Sequence, residues 1–389
     1  MLWTATNEDI LSGKVTDVYF TRTLRVLRNE GIRKRVRAEF VAKGFPSGWD
    51  WAVLAGIDEA LEILRRLPVT VRGLPEGTLF RPWDVVLEIE GDYAEFGVYE
   101  TAILGFLCQA SGIATQAARC RVAAGDRLLL SFGARRMHPA IAPMIERSAY
   151  LGGCDGVATV AAAEKLGIEP RGTMPHALVL IIGDCVEATQ AFRRAVGPDV
   201  KLVSLIDTFN DEKFEAVRVA QALGNDLAAV RLDTPSSRRG NFRRIIEEVR
   251  WELDLRGFRD VGIFVSGGLT EEDLRDLRPL VQGFGVGTSI SAARTVDFSM
   301  DIVEVDGEPR AKRGKRSGAK DVFGCRACTA TRVLPRGQHP EGTCPCGAPW
   351  EMLTREFVRE GRPVGGIEDT AAVRKRVLDQ LARLPQGTP

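Results

Sequence analysis

Four cysteines near the C-terminal end of the chain have the spacing of a metal site. Cys325 and Cys328 are separated by two residues, and Cys344 and Cys346 follow after a further fifteen residues. Two such pairs can place four thiolates around one tetrahedral ion, an arrangement that zinc prefers and that leaves no open position for chemistry. The spacing therefore predicts a structural zinc knuckle, with rubredoxin-like iron or unligated thiols as the alternatives.

A second set of candidate residues follows short apolar runs in the middle of the chain. Its charged or ionisable members are Arg135, Arg136, Asp155, His176, Asp207, Arg231 and Asp233. Two glycine-rich turns end the last two runs, SGGL at Ser266–Leu269 and GVGTS at Gly285–Ser289. A lone aspartate at a strand end is more often a turn former than a catalytic group. Together, however, glycine turns that bind phosphate through backbone N–H groups, arginines that grip anions and carboxylates that hold ribose hydroxyls or Mg²⁺ indicate a sugar-phosphate site.

A basic run precedes the first cysteine pair. Its cations are Arg310, Lys312, Arg313, Lys315, Arg316 and Lys320. Such a run is usually a solvated face, and phosphate binding or RNA binding are the functional alternatives.

The apolar runs that carry the second set alternate with helical stretches. They are RLLLSF, KLVSLI, LAAVRL, GIFVS and GFGVG. Because buried strands that alternate with helices form parallel βα units, residues 126–308 are predicted to form an irregular (β/α) barrel. A doubly wound open sheet is the alternative. Thr270, with Asp273 three residues later, is predicted to cap one of the helices.

The flanking segments have a different character, and the whole chain is assigned to the α/β class. Residues 1–125 are predicted to form an α+β domain, with a half-buried strand at 35–45, a helix at 57–67 and a long buried helix at 98–120. Residues 309–389 are predicted to contain the basic linker, the cysteine knuckle and a helix near 370–384. Part of this C-terminal tail is expected to pack on the N-terminal domain.

The composition is that of a globular protein with more than one domain. The chain has 389 residues, of which 44% are hydrophobic and 27% charged, with a formal net charge of +1. This near-zero charge argues against nucleic-acid binding by the whole chain. No apolar run approaches the ~18 residues of a membrane helix, and the N-terminus lacks the apolar core of a signal peptide. We therefore expect a cytoplasmic protein whose eight cysteines are reduced.

Several segments, in order along nearly the whole chain, resemble the nicotinate phosphoribosyltransferase family, specifically its archaeal-type branch with a C-terminal zinc knuckle. They are TDVYF at Thr16–Phe20, VYETAILG, SFGARRMHPAI, YLGGCDGV, GTMPHALV, LIDTFNDE, RLDTPS, VSGGL and FGVGTSIS. The resemblance implies a type II phosphoribosyltransferase architecture, in which an N-terminal α/β domain packs on the irregular barrel. It also implies head-to-tail homodimers, or higher oligomers of dimers, with active sites shared between subunits.

The same resemblance implies a role for each site residue. Phe132 and the partner subunit's Tyr19 would stack on the pyridine ring, and Arg135 would hold its carboxylate. The ribose and pyrophosphate would be surrounded by His176, Asp207, Arg231 and Asp233. The glycine turns that would bind the 5′-phosphate contribute Ser266, Gly267, Gly268, Gly285, Gly287 and Thr288. Asp155 resembles the aspartate that contacts the carboxamide in nicotinamide enzymes, and Lys315 is the basic-run residue assigned to substrate.

The implied reaction forms nicotinate mononucleotide and pyrophosphate from nicotinate and phosphoribosyl pyrophosphate with Mg²⁺, in NAD salvage. ATP coupling through phosphorylation of His176 is possible, because its GTMPH context matches relatives that use it. Quinolinate or nicotinamide phosphoribosyltransferase activity is the nearest alternative, and an inactive relative is a further one. A zinc-ribbon nucleic-acid-binding protein is the remote alternative.

Overall fold

The computed structural model describes residues 2–385 and contains two compact units. One consists of the chain up to Ala118 together with the chain from Arg294 onwards, and the other is Arg119–Ala293. In the described part of the chain, no helix is both long enough and apolar enough to cross a membrane.

The first part of the chain is a mixture of helices and strands. Its helices are α1 Asn7–Leu11, α2 Val18–Asn29, α3 Ile57–Leu64, α4 Tyr93–Phe96 and α5 Glu100–Ala124, the last of which continues into the second unit. Its strands are β1 Arg35–Ala42, β2 Ala52–Val53, β3 Thr70–Gly73, β4 Leu79–Phe80 and β5 Val85–Asp92.

The middle part of the chain alternates strands with helices. Its strands are β6 Leu128–Ser131, β7 Gly156–Val157, β8 Leu202–Leu205, β9 Leu227–Leu232, β10 Gly262–Ser266 and β11 Gly283–Val286. Its α-helices are α6 Ala142–Leu151, α7 Val160–Leu166, α8 His176–Ile182, α9 Cys185–Val196, α10 Glu212–Leu223, α11 Ser236–Arg239, α12 Phe242–Leu255, α13 Glu271–Leu277 and α14 Thr288–Ser291. Short 3₁₀ turns lie at Ala134–Arg136, Pro139–Ile141 and Gly224–Asp226.

The last part of the chain is mainly strands. They are β12 Phe298–Val305, β13 Glu308–Pro309, β14 Lys320–Cys325, β15 Thr331–Pro335, β16 Trp350–Met352, β17 Arg355–Arg359 and β18 Arg362–Pro363, followed by helix α15 Thr370–Leu381. On α15, Gln380 ties the helix to the first part of the chain, because its amide donates to Gly77 O at 2.8 Å and accepts from Leu79 N at 2.9 Å.

An antiparallel sheet of seven strands organises the first unit, in the order β13-β12-β1-β5-β3-β17-β18. Strand β1 lies between β12 and β5, with Phe40 opposite Met300 on one side and Leu87 on the other. The prediction that this strand is half-buried is wrong beyond Ala38, where both of its faces are buried. Its polar residue there, Glu39, is neutralised by Lys320, whose Nζ lies 2.7 Å from the carboxylate.

A parallel sheet of six strands organises the second unit, in the order β7-β6-β11-β10-β9-β8. Every neighbouring pair in it is parallel, which confirms the predicted βα alternation. Its edge strands β7 and β8 are not paired with each other within the described residues, so the sheet is a half-barrel and not a closed barrel. The predicted cap is also confirmed, since Thr270 and Asp273 form a reciprocal capping box at α13.

The predicted three-part division of the chain, at residues 125/126 and 308/309, stays a prediction. Met1 and residues 386–389, which it includes, lie outside the described residues. Strand β12 falls on the barrel side of that division but pairs antiparallel with β1. The contacts therefore place this strand in the unit that contains the N-terminal part of the chain.

Candidate active site

A cavity of about 410 Å³ lies at the carboxyl ends of the parallel strands. Because parallel strands all end at one edge of their sheet, the residues that follow β6, β9, β10 and β11 converge there. The predicted site residues that line the cavity are Phe132, Arg135, His176, Arg231, Asp233, Ser266, Gly267, Gly268, Gly285, Gly287 and Thr288. Residues scattered over more than 150 positions of the sequence, from Phe132 to Thr288, are thus brought to one place.

A hydrogen-bonded group at the ends of β9 and β10 holds Arg231 in a defined orientation. Its Nε donates to Ser266 Oγ at 2.9 Å, and its Nη1 donates to Thr173 Oγ1 at 2.6 Å. Its Nη2 lies 3.1 Å from Asp233 Oδ2. Three different partners therefore position one guanidinium, and the side chain of its charged partner, Asp233, is 26% exposed.

His176, the first residue of α8, lies between two carboxylates. Its Nδ1 is 3.0 Å from Thr208 Oγ1, and its Nε2 is 3.7 Å from both Asp207 Oδ2 and Asp233 Oδ2. The imidazole is partly exposed while the Asp207 side chain is 1% exposed. Burial raises the pKa of the Asp207 carboxyl, an effect that His176 opposes and Asp233 reinforces. The three groups therefore form one cluster of ionisable side chains.

Phe132 and Gly285 fit together at the ends of β6 and β11. A Cβ at Gly285 would lie 2.4 Å from the Phe132 ring, so only glycine permits this close approach. The Arg231 guanidinium lies 5.5 Å from the centre of the same ring. The ring is therefore held beside the charged residues, where it offers an apolar wall to a ligand.

The turn after β10 has a backbone conformation that favours glycine. Gly267 and Gly268 have φ values of +93° and +68°, in the left-handed region that other residues rarely adopt. Successive backbone N–H groups in such a turn can form a concave anion site. The turn could therefore present N–H groups to an anion.

Domain-family models and curated relatives agree on the kind of protein this is. Residues 17–111 match the quinolinate phosphoribosyl transferase N-terminal domain, and residues 113–301 match the C-terminal domain of the same family. The nicotinate phosphoribosyltransferase pncB1 of Mycobacterium tuberculosis is 32% identical over 96% of this chain and 91% of its own length. The chain belongs to the nicotinate phosphoribosyltransferase family. The Bacillus subtilis nicotinate phosphoribosyltransferase is a further relative, 28% identical over 72% of the chain.

Two solved structures are similar to this chain. The crystal structure of nicotinate-nucleotide pyrophosphorylase from Pyrococcus furiosus superposes with a TM-score of 0.96, at 50% identity, over 98% of both chains. The human nicotinic acid phosphoribosyltransferase has the same fold, with a TM-score of 0.77 at 21% identity over 96% of this chain and 95% of its own.

Four predicted site residues of this family member do not line the cavity. One of them is Asp207, which is buried 3.7 Å from the His176 ring. Asp155 Oδ2 accepts hydrogen bonds from Arg121 at 3.1 Å and from Leu129 N at 2.9 Å. Tyr19 and Lys315 belong to the other compact unit. There Tyr19 is 56% exposed, while the Lys315 side chain is buried, forms an ion pair with Asp301 and donates to Ser299 Oγ at 3.1 Å. Their contacts to substrate remain predictions.

Sequence reasoning gave no role to several residues that shape the cavity. Thr173 contacts Arg231, and its position three residues before His176 in the GTMPH segment was a usable signal. Glu146 is fully buried in α6 and accepts hydrogen bonds from the backbone N–H groups of Ala158 and Thr159, which line the cavity. No sequence signal separates Glu146 from any other helical glutamate, because its partners are not local.

The four predicted metal ligands come together in the first unit. The sulfur atoms of Cys325, Cys328, Cys344 and Cys346 all lie within 4.8 Å of one another. The Sγ atoms of Cys325 and Cys346 are 3.4 Å apart, and those of Cys328 and Cys344 are 3.5 Å apart. This cluster could hold a metal ion, and four thiols on two tight turns match the donor set of a closed structural site.

Proposed function

We propose that this enzyme transfers the phosphoribosyl group of phosphoribosyl pyrophosphate to the ring nitrogen of nicotinate, forming nicotinate mononucleotide and pyrophosphate in NAD salvage. The observation that carries the proposal is the cavity that unites the Arg231–Ser266–Asp233 group with the Gly267–Gly268 turn. The Arg231–Ser266–Asp233 group can stabilise charge that develops during the reaction, and the Gly267–Gly268 turn can bind a phosphate. The relatives' names supply the nicotinate substrate.

The pyridine ring is assigned to the space beside Phe132. A flat aromatic ligand gains about 0.5–1.5 kcal/mol from an offset stack in addition to area burial. Arg135 lines the same cavity, and its planar guanidinium matches a carboxylate by two parallel hydrogen bonds. These two residues favour nicotinate over its uncharged amide.

The reaction needs charge stabilisation more than proton transfer. Positive charge develops on ribose C1 as pyrophosphate leaves, and the nucleophilic pyridine nitrogen carries no proton at neutral pH. The proposal assigns the Asp207 and Asp233 carboxylates to the developing cation and Arg231 to the departing oxygens, to which it can donate hydrogen bonds. Holding the two substrates in line supplies much of the remaining acceleration.

Asp207 and Asp233 are also the residues that would hold Mg²⁺ brought by phosphoribosyl pyrophosphate. The two carboxylate oxygens of Asp207 are buried without a side-chain hydrogen-bond partner among the described residues, which fits a cation or its bound water. When bound, the ion neutralises the leaving pyrophosphate. His176 is the assigned site of phosphorylation if ATP is coupled to turnover, since its ring borders the cavity.

The remaining parts of the proposal concern assembly and metal. The site is assigned to a homodimer, in which the exposed Tyr19 of one subunit covers the pyridine bound by the other. The cysteine cluster is assigned to zinc. Ligand cysteines must be reduced, which supports a cytoplasmic location. A zinc ribbon that binds nucleic acid would leave the cavity at the strand ends unexplained. The cavity therefore argues against nucleic-acid binding as the main function.

The test is an assay of purified protein with phosphoribosyl pyrophosphate and Mg²⁺, in which nicotinate, nicotinamide and quinolinate are compared with and without ATP. We expect nicotinate to have the highest kcat/KM. A preference for quinolinate, with release of carbon dioxide, or for nicotinamide would overturn the substrate assignment. Acid-labile phosphate on His176 during turnover would establish ATP coupling.

Alanine variants connect the activity to the cavity. Arg231→Ala and Asp233→Ala should each lower kcat/KM by ~10²-fold or more, because each removes a contact to developing charge. Arg244→Ala removes an exposed arginine on α12 that pairs with Glu247 and serves as the matched control. Near-normal kcat/KM in the two site variants would refute the assignment of the cavity.

A further inference from the structure

Arg239, at the end of α11, contacts the backbone of two separate loops. Its Nε donates to Thr234 O at 3.0 Å, in the loop that follows β9. Its Nη2 donates to Gly267 O and, at 3.4 Å, to Ser266 O, in the turn that follows β10. One guanidinium therefore joins the loop that begins with Asp233 to the glycine turn of the cavity.

The two carbonyl contacts determine where the neighbouring N–H groups point. In a planar trans peptide, the carbonyl oxygen and the following N–H lie on opposite sides of the chain. Since Arg239 binds the oxygens of Ser266 and Gly267, the N–H groups of Gly267 and Gly268 are directed away from it. Both glycines line the cavity.

The surroundings of Arg239 keep its guanidinium in place. Its Cζ lies 4.3 Å from the centre of the buried Phe242 ring, a cation–π contact. A Cβ on Gly267 would lie 3.0 Å from Arg239 Nη2 and 3.1 Å from Asp233 Oδ1, so the turn packs tightly against both residues. Within residues 2–385, Arg239 forms no ion pair with a carboxylate. Its donors are used on backbone carbonyls instead.

We propose that Arg239 is a positioning residue for the phosphate-binding turn. It holds the carbonyls of Ser266 and Gly267 back, so that the N–H groups of Gly267 and Gly268 face the 5′-phosphate of phosphoribosyl pyrophosphate. It also joins this turn to the loop of Asp233, which keeps the phosphate site and the ribose site in a fixed position relative to each other. The inference rests on the proposed function for the identity of its ligand.

The number and geometry of its donors explain why the residue is arginine. The guanidinium carries five N–H donors in a rigid plane and can reach three carbonyls at once. A lysine keeps the positive charge but presents one compact ammonium. Replacing Arg239 by lysine therefore separates positioning by hydrogen bonds from a purely electrostatic effect.

The test compares Arg239→Lys and Arg239→Gln with Arg238→Lys, a conservative change at the exposed neighbouring position. We expect both Arg239 variants to raise KM for phosphoribosyl pyrophosphate roughly 10-fold or more. The N–H groups of Gly267 and Gly268 would no longer be held toward the charged phosphate, and their hydrogen bonds to it would be lost. KM for nicotinate should stay within about twofold, and Arg238→Lys should match the wild type. A merely destabilised protein would not show this split between the two KM values.

Either of two KM results would overturn the inference. One is a KM for phosphoribosyl pyrophosphate that is unchanged in both Arg239 variants. The other is a normal KM in Arg239→Lys with a raised KM in Arg239→Gln, since charge alone would then be sufficient. Addition of methylguanidine to Arg239→Ala should restore affinity for phosphoribosyl pyrophosphate, whereas methylammonium should not; equal rescue by both would again indicate charge alone.

Binding of ribose 5-phosphate, measured by calorimetry, keeps this inference separate from the proposed function. If the wild type binds ribose 5-phosphate but does not use phosphoribosyl pyrophosphate, the proposed function fails while Arg239 can still be tested. The variant Phe242→Leu removes the ring beneath the guanidinium and should weaken ribose 5-phosphate binding in the same direction. Should the Arg239 variants not fold, unchanged binding in folded Phe242→Leu would overturn the inference.

Discussion

The hydroxyl of Ser266 donates a hydrogen bond of 2.7 Å to Oδ1 of Asp233. It joins the ends of the neighbouring strands β9 and β10, and the same hydroxyl accepts from Arg231 Nε at 2.9 Å. The Ser266 hydroxyl oxygen therefore sets the orientation of the Arg231 guanidinium relative to the Asp233 carboxylate. The proposed function assigns both of these groups to the transition state.

Replacing Ser266 by alanine should lower kcat/KM about 10-fold, because one net hydrogen bond is typically worth about 0.5–1.5 kcal/mol and its loss frees both partners. Steady-state kinetics measure the effect. Ser204→Ala changes another buried serine of the same sheet, which contacts Thr189 at 2.8 Å outside the cavity lining, and serves as the control. Equal kcat/KM in Ser266→Ala and wild type would show that the orienting role is absent.

Asp207 is expected to contribute to activity at the expense of stability. Burial raises the pKa of its carboxyl, so the charged form is disfavoured in the folded protein. Asp207→Asn should therefore raise Tm near pH 8 while kcat falls ~10²-fold. The gain in Tm should shrink as the pH falls through the raised pKa, because the wild-type carboxyl is then neutral. A lower Tm at pH 8 would contradict this account.

Asp84 provides a pH-dependent stability test away from the cavity. It is 3% exposed, and burial raises its pKa from 3.8 to about 6, against the hydrogen bond from Arg81 N. The folded-state pKa exceeds the unfolded one, so the wild type loses stability as pH rises from about 4 to 6, on the order of 2 kcal/mol.

In the variant Asp84→Asn, the side chain at position 84 cannot ionise, so the protein does not lose this stability as the pH rises. Its Tm should exceed that of the wild type by several degrees above pH 6, with the difference disappearing near pH 4. Thermal unfolding across this pH range measures it. Asp50→Asn, at an exposed position in the same unit, should show no such pH-dependent difference. A constant difference for Asp84→Asn at all pH values would count against burial as the cause.

The cysteine cluster is expected to contain about one zinc ion per chain without an open coordination position. Elemental analysis of native protein tests this directly. Cys325→Ser should lose the metal and destabilise the C-terminal segment, whereas Cys108→Ser, which changes a half-buried thiol outside the cluster, should keep it. Carefully purified protein without any bound metal would disprove the assignment.

Subunit mixing tests whether Tyr19 serves the partner's site. Tyr19→Ala should raise KM for nicotinate more than for phosphoribosyl pyrophosphate, because a stacking partner is lost. The mixture is assayed at a nicotinate concentration too low for either variant alone to show activity. When Tyr19→Ala and Arg231→Ala chains exchange subunits, one site of each heterodimer carries both defects and the other carries neither. Activity should return to about a quarter of wild type. Demonstrated exchange without recovery would place both residues in the same subunit's site.

The sequence by itself determined the features that depend on local chemistry. Apolar runs ending in glycine or polar residues located the parallel strands, and Thr270 with Asp273 located a helix start. Cysteine spacing located the cysteine cluster that could hold a metal ion, since both pairs lie on tight turns. The ordered motifs also indicated the family. Each of these signals lies within a few residues of the feature that it predicts.

Only the tertiary structure decided which distant residues become neighbours. Strand β12 pairs with β1 across more than 250 residues of chain, and no local pattern specifies that partner. Asp155 and Lys315 carry the residue types of a binding site, but Arg121 and Asp301 occupy their charged groups. Arg239 gave no sequence signal, because its role depends on carbonyls presented by another loop. Strand pairing and side-chain hydrogen bonds are non-local interactions, which become defined only when the chain packs.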